Sequence, residues 1–299
     1  MKTNRGYKYW IRLLIVGLAG GILLALVMIE IVFINLMTKP APSLVGSPAQ
    51  TSLTGKYQAV SFINENDDVS LSGWYYKSEN GAAVILLHGY GSNRLGMISR
   101  ADILVRHGYG VLLYDLRGHG ESGGDLRAFG WDDVGDVEAA LKFLLSREEV
   151  SPDRIGMLGF SIGGQVAIRA AAEYGEIKAI IADDPGFVTV DDAPAAQSLP
   201  DRIVNLMSWI NSRCVSLWTG IPIPPGVTDV IGDISPRPIL FINTGQAGGR
   251  ALVRHFYKIA GEPKELWEIP DASHGGQFEA RPLEYEKKMI TFFDYYLLK

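Results

Sequence analysis

A serine stands among glycines in Gly159-Phe160-Ser161-Ile162-Gly163-Gly164, directly after the apolar run RIGMLG and directly before an Ala-rich apolar segment. Glycines at that spacing let a strand turn sharply into a helix with the hydroxyl exposed, because a side chain at either position would meet the strand or the helix. The helix N-terminus behind the serine offers free N–H groups and positive potential to a developing oxyanion. The chemistry this suits is attack by Ser161 on an acyl carbon, which requires a general base. Five histidines are available: His88, His107, His119, His255 and His274.

A second motif, His88-Gly89-Tyr90-Gly91-Ser92-Asn93, follows another apolar run, and a third, DLRGHGES, spans Asp115 to Ser122. At these motifs the chain resembles the α/β-hydrolase superfamily, with HG-x-G after the third strand, D-x-R-G-x-G-x-S after the fourth and the nucleophile elbow after the fifth. The resemblance runs from about residue 55 to the C-terminus. It implies Ser161 as nucleophile and an oxyanion hole made by the N–H groups of Tyr90 and Ile162. It places the base in a late loop after the last strand, where His274 lies in PDASHGG. His88 belongs to the oxyanion loop, and His107 and His255 fall in helical patterns. Asp115, His119 and Glu121 are read as braces for the loop beside the elbow rather than as catalytic groups.

The acid of the triad departs from the pattern. The superfamily order Ser…Asp/Glu…His normally puts it in the loop after PILFINTG, yet residues 241–261 contain neither Asp nor Glu. Asp183 or Asp184, at the end of IKAIIAD, can serve from one strand earlier, a placement known in some lipases of the superfamily, and Asp183 is ranked first. Asn243 orienting the ring without charge, or a Ser161–His274 dyad, are the other repairs. Asp271, three residues before His274, is awkwardly placed to reach its ring.

No H-E-x-x-H, P-loop or dinucleotide motif after the first strand is present, and GQAGG at 245–249 is too irregular to count. One cysteine, Cys214, excludes a disulfide scaffold and a Cys-rich zinc site. No metal or cofactor is expected. A net charge of −5 offers no footprint for nucleic acid. The expected activity is hydrolysis of a carboxylic ester or thioester, with a small-molecule or lipid-like acyl substrate. A serine peptidase on the same fold, or a binding protein that has lost catalysis, are the alternatives.

These residues must be positioned by alternating elements. Val60–Ile63 and Val69–Tyr76 form an opening antiparallel pair around the turn NEND. Short apolar runs follow at 82–89, 109–118, 154–160, 177–183, 238–245 and 264–270, the mark of buried parallel strands. Helical patterns near Arg94–His107, Trp131–Ser146, Ile162–Tyr174, Ala251–Ala260 and Pro282–Leu298 lie between and after them. The fold class is therefore α/β, a mostly parallel sheet with helices on both faces. Residues 186–237 interrupt the rhythm. Their helical stretch Asp201–Trp218 reads as a small lid, amphipathic enough to cover an acyl pocket or touch a membrane surface.

The chain is 47% apolar, and the excess sits at the front. Leu13 to Ile29 carries no charge, and the apolar run resumes after Glu30 as far as Met37. It is long enough to span about 30 Å of hydrocarbon. Lys2, Arg5, Lys8 and Arg12 precede it and only Lys39 follows closely, which leaves the N-terminus cytoplasmic and the rest extracytoplasmic. Cleavage as a signal peptide in the context SPA-Q (47–50) is the competing reading. The apolar core is longer than the roughly 7–15 residues of such peptides, which favours an uncleaved anchor. The expected organisation is a cytoplasmic tip over 1–12, a transmembrane helix over 13–37, a Pro/Ser/Ala-rich linker within 38–53 and one hydrolase domain over 54–299. Without residues 1–39, 23 basic residues face 32 acidic ones, a net charge of −9.

Overall fold

The computed structural model describes residues 4–47, 53, 56–245 and 247–299. Part of the expected tip (1–3), of the linker with its cleavage context (48–52) and of the start of the expected hydrolase domain (54–55) lies outside the described residues, as does Gln246 of GQAGG.

The chain begins with helix α1 (Asn4–Thr38), long and apolar enough to cross a membrane from Tyr9 to Thr38. Its described side chains are mostly exposed until Ile34 and Thr38, which are buried where the helix meets the rest of the protein. There the Arg127 N–H donates to the Thr38 carbonyl at 2.8 Å, and the chain adds a two-residue parallel bridge, Ala41–Pro42 to His119–Gly120.

The strands are β1 (Gln58–Asn64), β2 (Val69–Tyr76), β3 (Ala83–Leu87), β4 (Gly110–Tyr114), β5 (Ile155–Phe160), β6 (Ile177–Asp183), β7 (Ile239–Thr244) and β8 (Lys264–Ile269). They form one sheet in the order β8-β7-β6-β5-β3-β4-β2-β1. β2 pairs antiparallel with β1 and β4, and every other pairing is parallel. Parallel strands covered on both faces have no polar side to show, so every residue of AVILL in β3 and GVLLY in β4 is buried.

The longer helices that follow are α2 (Ile98–Arg106), α3 (Val134–Leu145), α4 (Ile162–Glu173), α5 (Leu199–Thr219), α6 (Ala247–Ile259) and α7 (Pro282–Leu297). α2 and α7 cover one face through Leu104, Met289 and Phe293, against Val84, Leu86 and Ile181. α3, α4 and α6 cover the other through Leu141, Val166 and Phe256, against Ile85, Leu87 and Ile180. The pattern expected over Arg94–His107 divides in two. Arg94–Met97 forms a tighter 3₁₀ turn before α2, because the Asn93 side chain accepts from the Leu95 N–H and Asp115 holds the Arg94 N–H at 2.7 Å.

Between β6 and β7, α5 begins with a capping box, Ser198 with Asp201. It ends at Gly220 in the left-handed region, φ 74°.

α7 packs so closely on the sheet that a Cβ at Gly156 would lie 2.8 Å from the Phe293 ring. Phe293 is fully buried. Phe293→Ala is expected to destabilise the protein by about 3–5 kcal/mol, the cost of a large buried aromatic and the cavity it leaves. Chemical denaturation followed by circular dichroism checks it, and a change under about 1 kcal/mol contradicts this packing.

Candidate active site

β5 runs into α4 through Ser161, whose backbone sits at φ 55°, a conformation costly for a residue with a side chain. The turn is held from several sides. The Ser161 N–H donates to the Asp183 carbonyl at 3.0 Å, and its own carbonyl accepts from Gly164 at 2.9 Å and Gly186 at 2.9 Å. The flanking glycines are a steric requirement. A Cβ at Gly159 would lie 2.0 Å from the Gly163 carbonyl oxygen, and one at Gly163 would lie 2.4 Å from the Leu87 carbonyl oxygen.

His274 lies in the loop after β8, with its ring against Phe160, 4.9 Å between centroids. Its Nε2 is 3.1 Å from Ser161 Oγ, and its Nδ1 is 2.6 Å from Asp184 Oδ2. The same carboxylate oxygen accepts from the Thr244 hydroxyl at 2.7 Å. The hydrogen bond to Asp184 raises the His274 pKa above the ordinary imidazole value, against partial burial, which works to lower it. A serine, an imidazole and a buried carboxylate therefore stand in one hydrogen-bonded line.

The ranking of Asp183 ahead of Asp184 is corrected by this geometry. Asp183 ends β6 on the same sheet face as Ala179 and Ile181, the face that α2 and α7 cover. Its carboxylate accepts from Arg100 at 2.9 Å, Tyr285 at 2.7 Å and Gln277 at 2.8 Å, and among the described residues it makes no hydrogen bond with His274. Asp184 follows at φ 48°, which breaks the strand's alternation and turns its carboxylate across the sheet end to Thr244 and His274. Asn243 does not orient the ring either; its amide donates to Glu268 at 3.0 Å. Asp271 pairs with Arg281 at 2.7 Å.

The oxyanion loop passes close to the elbow, since a Cβ at Gly89 would lie 3.3 Å from Ser161 Cβ. Among the described residues, no hydrogen bond engages the N–H of Tyr90 or of Ile162. Two buried histidines brace this loop. His88 Nε2 accepts from the Leu116 N–H at 3.0 Å and its Nδ1 donates to the Gly89 carbonyl at 2.8 Å. His119 Nε2 accepts from the Gly91 N–H at 3.2 Å and its Nδ1 donates to the Arg117 carbonyl at 2.9 Å. Burial depresses both pKa values, that of His88 to about 3, so both rings stay neutral, as these bonds require. Asp115 accepts from the Arg94 and Glu121 N–H groups at 2.7 and 2.8 Å, and Glu121 pairs with Arg94. DLRGHGES is thus the prop beneath the oxyanion loop.

Sequence reasoning missed Thr244 and the Arg100–Tyr285–Gln277 cage around Asp183. Strand alternation carried the signal for the cage, because Asp183 continues the series Ala179, Ile181 onto a helix-covered face. Among the described residues, no cluster of His, Cys, Asp and Glu suited to a metal ion is formed.

Comparison with known proteins gives four findings. Residues 78–225 match the hydrolase family described as serine aminopeptidase, S33. The chain is 28% identical to the uncharacterized protein YfhR of Escherichia coli O157:H7 over 76% of this chain and 77% of that one. It is 27% identical to the thiohydrolase aneE of Aspergillus aculeatus over 62% and 58%. Among solved structures, the esterase PF2001 of Pyrococcus furiosus superposes with a TM-score of 0.69 at 29% identity, covering 87% of this chain and 98% of that one.

The two aspartates are expected to separate by experiment. Asp184→Asn should lower kcat by about 10³- to 10⁴-fold with little loss of stability, as for a lost triad acid. Asp183→Asn should leave Arg100 without its counter-charge and cost about 3–5 kcal/mol of stability, with kcat of the folded fraction within about tenfold of wild type. Turnover and denaturation curves of both variants decide it; the reverse pattern would restore Asp183.

Proposed function

We propose, for a chain that belongs to the α/β-hydrolase superfamily, a membrane-anchored serine hydrolase that cleaves a carboxylic ester or thioester through an acyl-enzyme on Ser161. The observation that carries this reading is the line from Ser161 Oγ through His274 to Asp184, with distances of 3.1 and 2.6 Å. In it, His274 Nε2 takes the hydroxyl proton as the oxygen attacks the acyl carbon. Asp184 fixes the tautomer with the proton on Nδ1 and stabilises the imidazolium that forms. The negative charge that develops on the carbonyl oxygen falls to the unengaged N–H groups of Tyr90 and Ile162. His274 then protonates the leaving alcohol or thiol. Water, deprotonated by the same ring, attacks the acyl carbon and releases the carboxylic acid and the free serine.

α1 serves as the anchor, with Arg12 and the preceding cations on the cytoplasmic side and the catalytic domain on the other. The relatives' names support ester and thioester bonds as the scissile groups, an esterase in one case and a thiohydrolase in the other. The description of the matched family favours peptide bonds instead. Matched ester and amide substrates separate the two readings, the ester being expected to turn over faster.

A fluorophosphonate probe is expected to label the wild-type chain and not Ser161→Ala. Absence of Ser161-dependent labelling would sink the enzymatic reading. The pH profile follows from the direction of the His274 shift. The base must be neutral, so kcat/KM should rise with pH through an apparent pKa above 6.5. Asp184→Asn withdraws the carboxylate that favours the imidazolium, so in that variant the acid limb should move to lower pH. Measurement on a non-ionising ester checks this, and an unmoved limb would detach the limb from the His274–Asp184 pair.

A further inference from the structure

α5 is built inside out. Ile203, Leu206, Met207, Ile210 and Leu217 fall within a stripe about 100° wide on a helical projection. All five are exposed, Met207 by 66% and Leu217 by 86%. Away from the stripe lie Asn205, Ser208, Asn211, Ser212 and Ser216, all half-buried, and Cys214 and Thr219 are half-buried as well. Val215 is the one apolar residue that α5 buries. A helix lying against a protein in water turns its apolar stripe inward; this one turns it out. Its inward polar groups meanwhile find partners. Ser212 Oγ donates to the Ser208 carbonyl at 2.9 Å, Ser216 Oγ to the Ile221 carbonyl at 2.7 Å and Asn211 Nδ2 to Glu30 Oε1 at 2.5 Å.

The last of these contacts fixes where the stripe lies. Glu30 is on α1, the proposed anchor, and lies 18 residues after Arg12, about 27 Å of helical rise. With Arg12 at one boundary of a hydrocarbon layer about 30 Å thick, Glu30 reaches the opposite boundary. At that boundary its carboxylate accepts from the Asn211 amide. α5 therefore meets α1 at the edge of the hydrocarbon layer, where its exposed stripe adjoins the exposed apolar surface of α1. The catalytic mouth is close by. Seven residues beyond Glu30, about 10 Å along the helix, the Met37 carbonyl accepts from the Tyr90 hydroxyl, on the residue whose N–H faces the oxyanion position. The Tyr90 ring stacks on Phe129 at 5.3 Å, and Phe187, next to the Gly186 that bonds Ser161, is 48% exposed.

We propose that α5 is seated in the bilayer leaflet from which α1 emerges, and that Ser161 takes acyl-ester lipids directly from that leaflet. This rests on the reading of α1 as an anchor and of Ser161 as a nucleophile. Arg213, whose guanidinium lies 5.2 Å over the Trp209 ring, suits the headgroup level above the stripe.

The test uses the full-length protein in phosphatidylcholine vesicles with brominated acyl chains, which quench tryptophans that touch them. The chain has six tryptophans. Ile203→Trp, which places an added tryptophan in the middle of the stripe, should raise the quenched share of the emission above that of the wild-type chain. An unchanged quenched fraction would overturn the proposal. A second variant, Ile203→Gln/Leu206→Gln/Ile210→Gln, should lower turnover of a long-chain ester carried in the vesicles at least ~10-fold while changing that of soluble p-nitrophenyl acetate less than ~2-fold. Equal change on both substrates would also overturn it. Failure of the underlying readings shows separately, as loss of Ser161-dependent probe labelling or as release of the chain from the vesicles by alkaline carbonate.

Discussion

The tight passage from β5 into α4 is the constraint on which the rest of the molecule turns. Ser161 adopts a backbone conformation that its side chain disfavours, and it stays there because its N–H and carbonyl are both engaged. Gly159 and Gly163 allow strand, helix and the neighbouring β3 end to approach to distances that a Cβ would forbid. That approach carries the oxyanion loop to the serine and leaves the Ile162 N–H at the head of α4. It also aligns the ends of β5, β6 and β7, from which Ser161, Asp184 and Thr244 project. A looser turn would separate these groups by more than a hydrogen bond can span.

Two adjacent aspartates divide two tasks. Asp183 is fully buried, and burial pushes its pKa up against the pull of Arg100 and Tyr285. It is a structural anion, and through its backbone carbonyl it also holds the Ser161 N–H. Asp184, one residue later, serves the imidazole. The loop after β7 supplies no acid, but its strand supplies the Thr244 hydroxyl that steadies the one recruited from β6. The proposed site thus reaches a full complement of groups by drawing its carboxylate from a neighbouring strand.

The amino-terminal helix is joined to the catalytic region rather than merely tethered to it. Its last turn contacts Tyr90 and Arg127, and the following residues bridge to His119, which itself braces the oxyanion loop. Orientation of the proposed anchor and of the mouth is therefore shared.

Local pattern determined a great deal about this protein. Short apolar runs of about five to eight residues bounded by glycine suit strands covered on both faces, so the sheet strands, their flanking helices and the elbow were legible from residue types and spacing. So was the loop that carries His274, and so were the length and apolarity of the first helix. Only the tertiary structure decided which aspartate reaches the ring, because side-chain direction at a strand end depends on one backbone dihedral, the φ of 48° at Asp184. It also decided that Asp115, His119 and Glu121 act as props, since their partners lie on Arg94, Gly91 and the loop's own backbone. The direction in which α5 faces belongs to the same class. Amphipathicity shows that a helix has two sides, but what lies against each side, here Glu30 against Asn211, is set by the packing of distant segments.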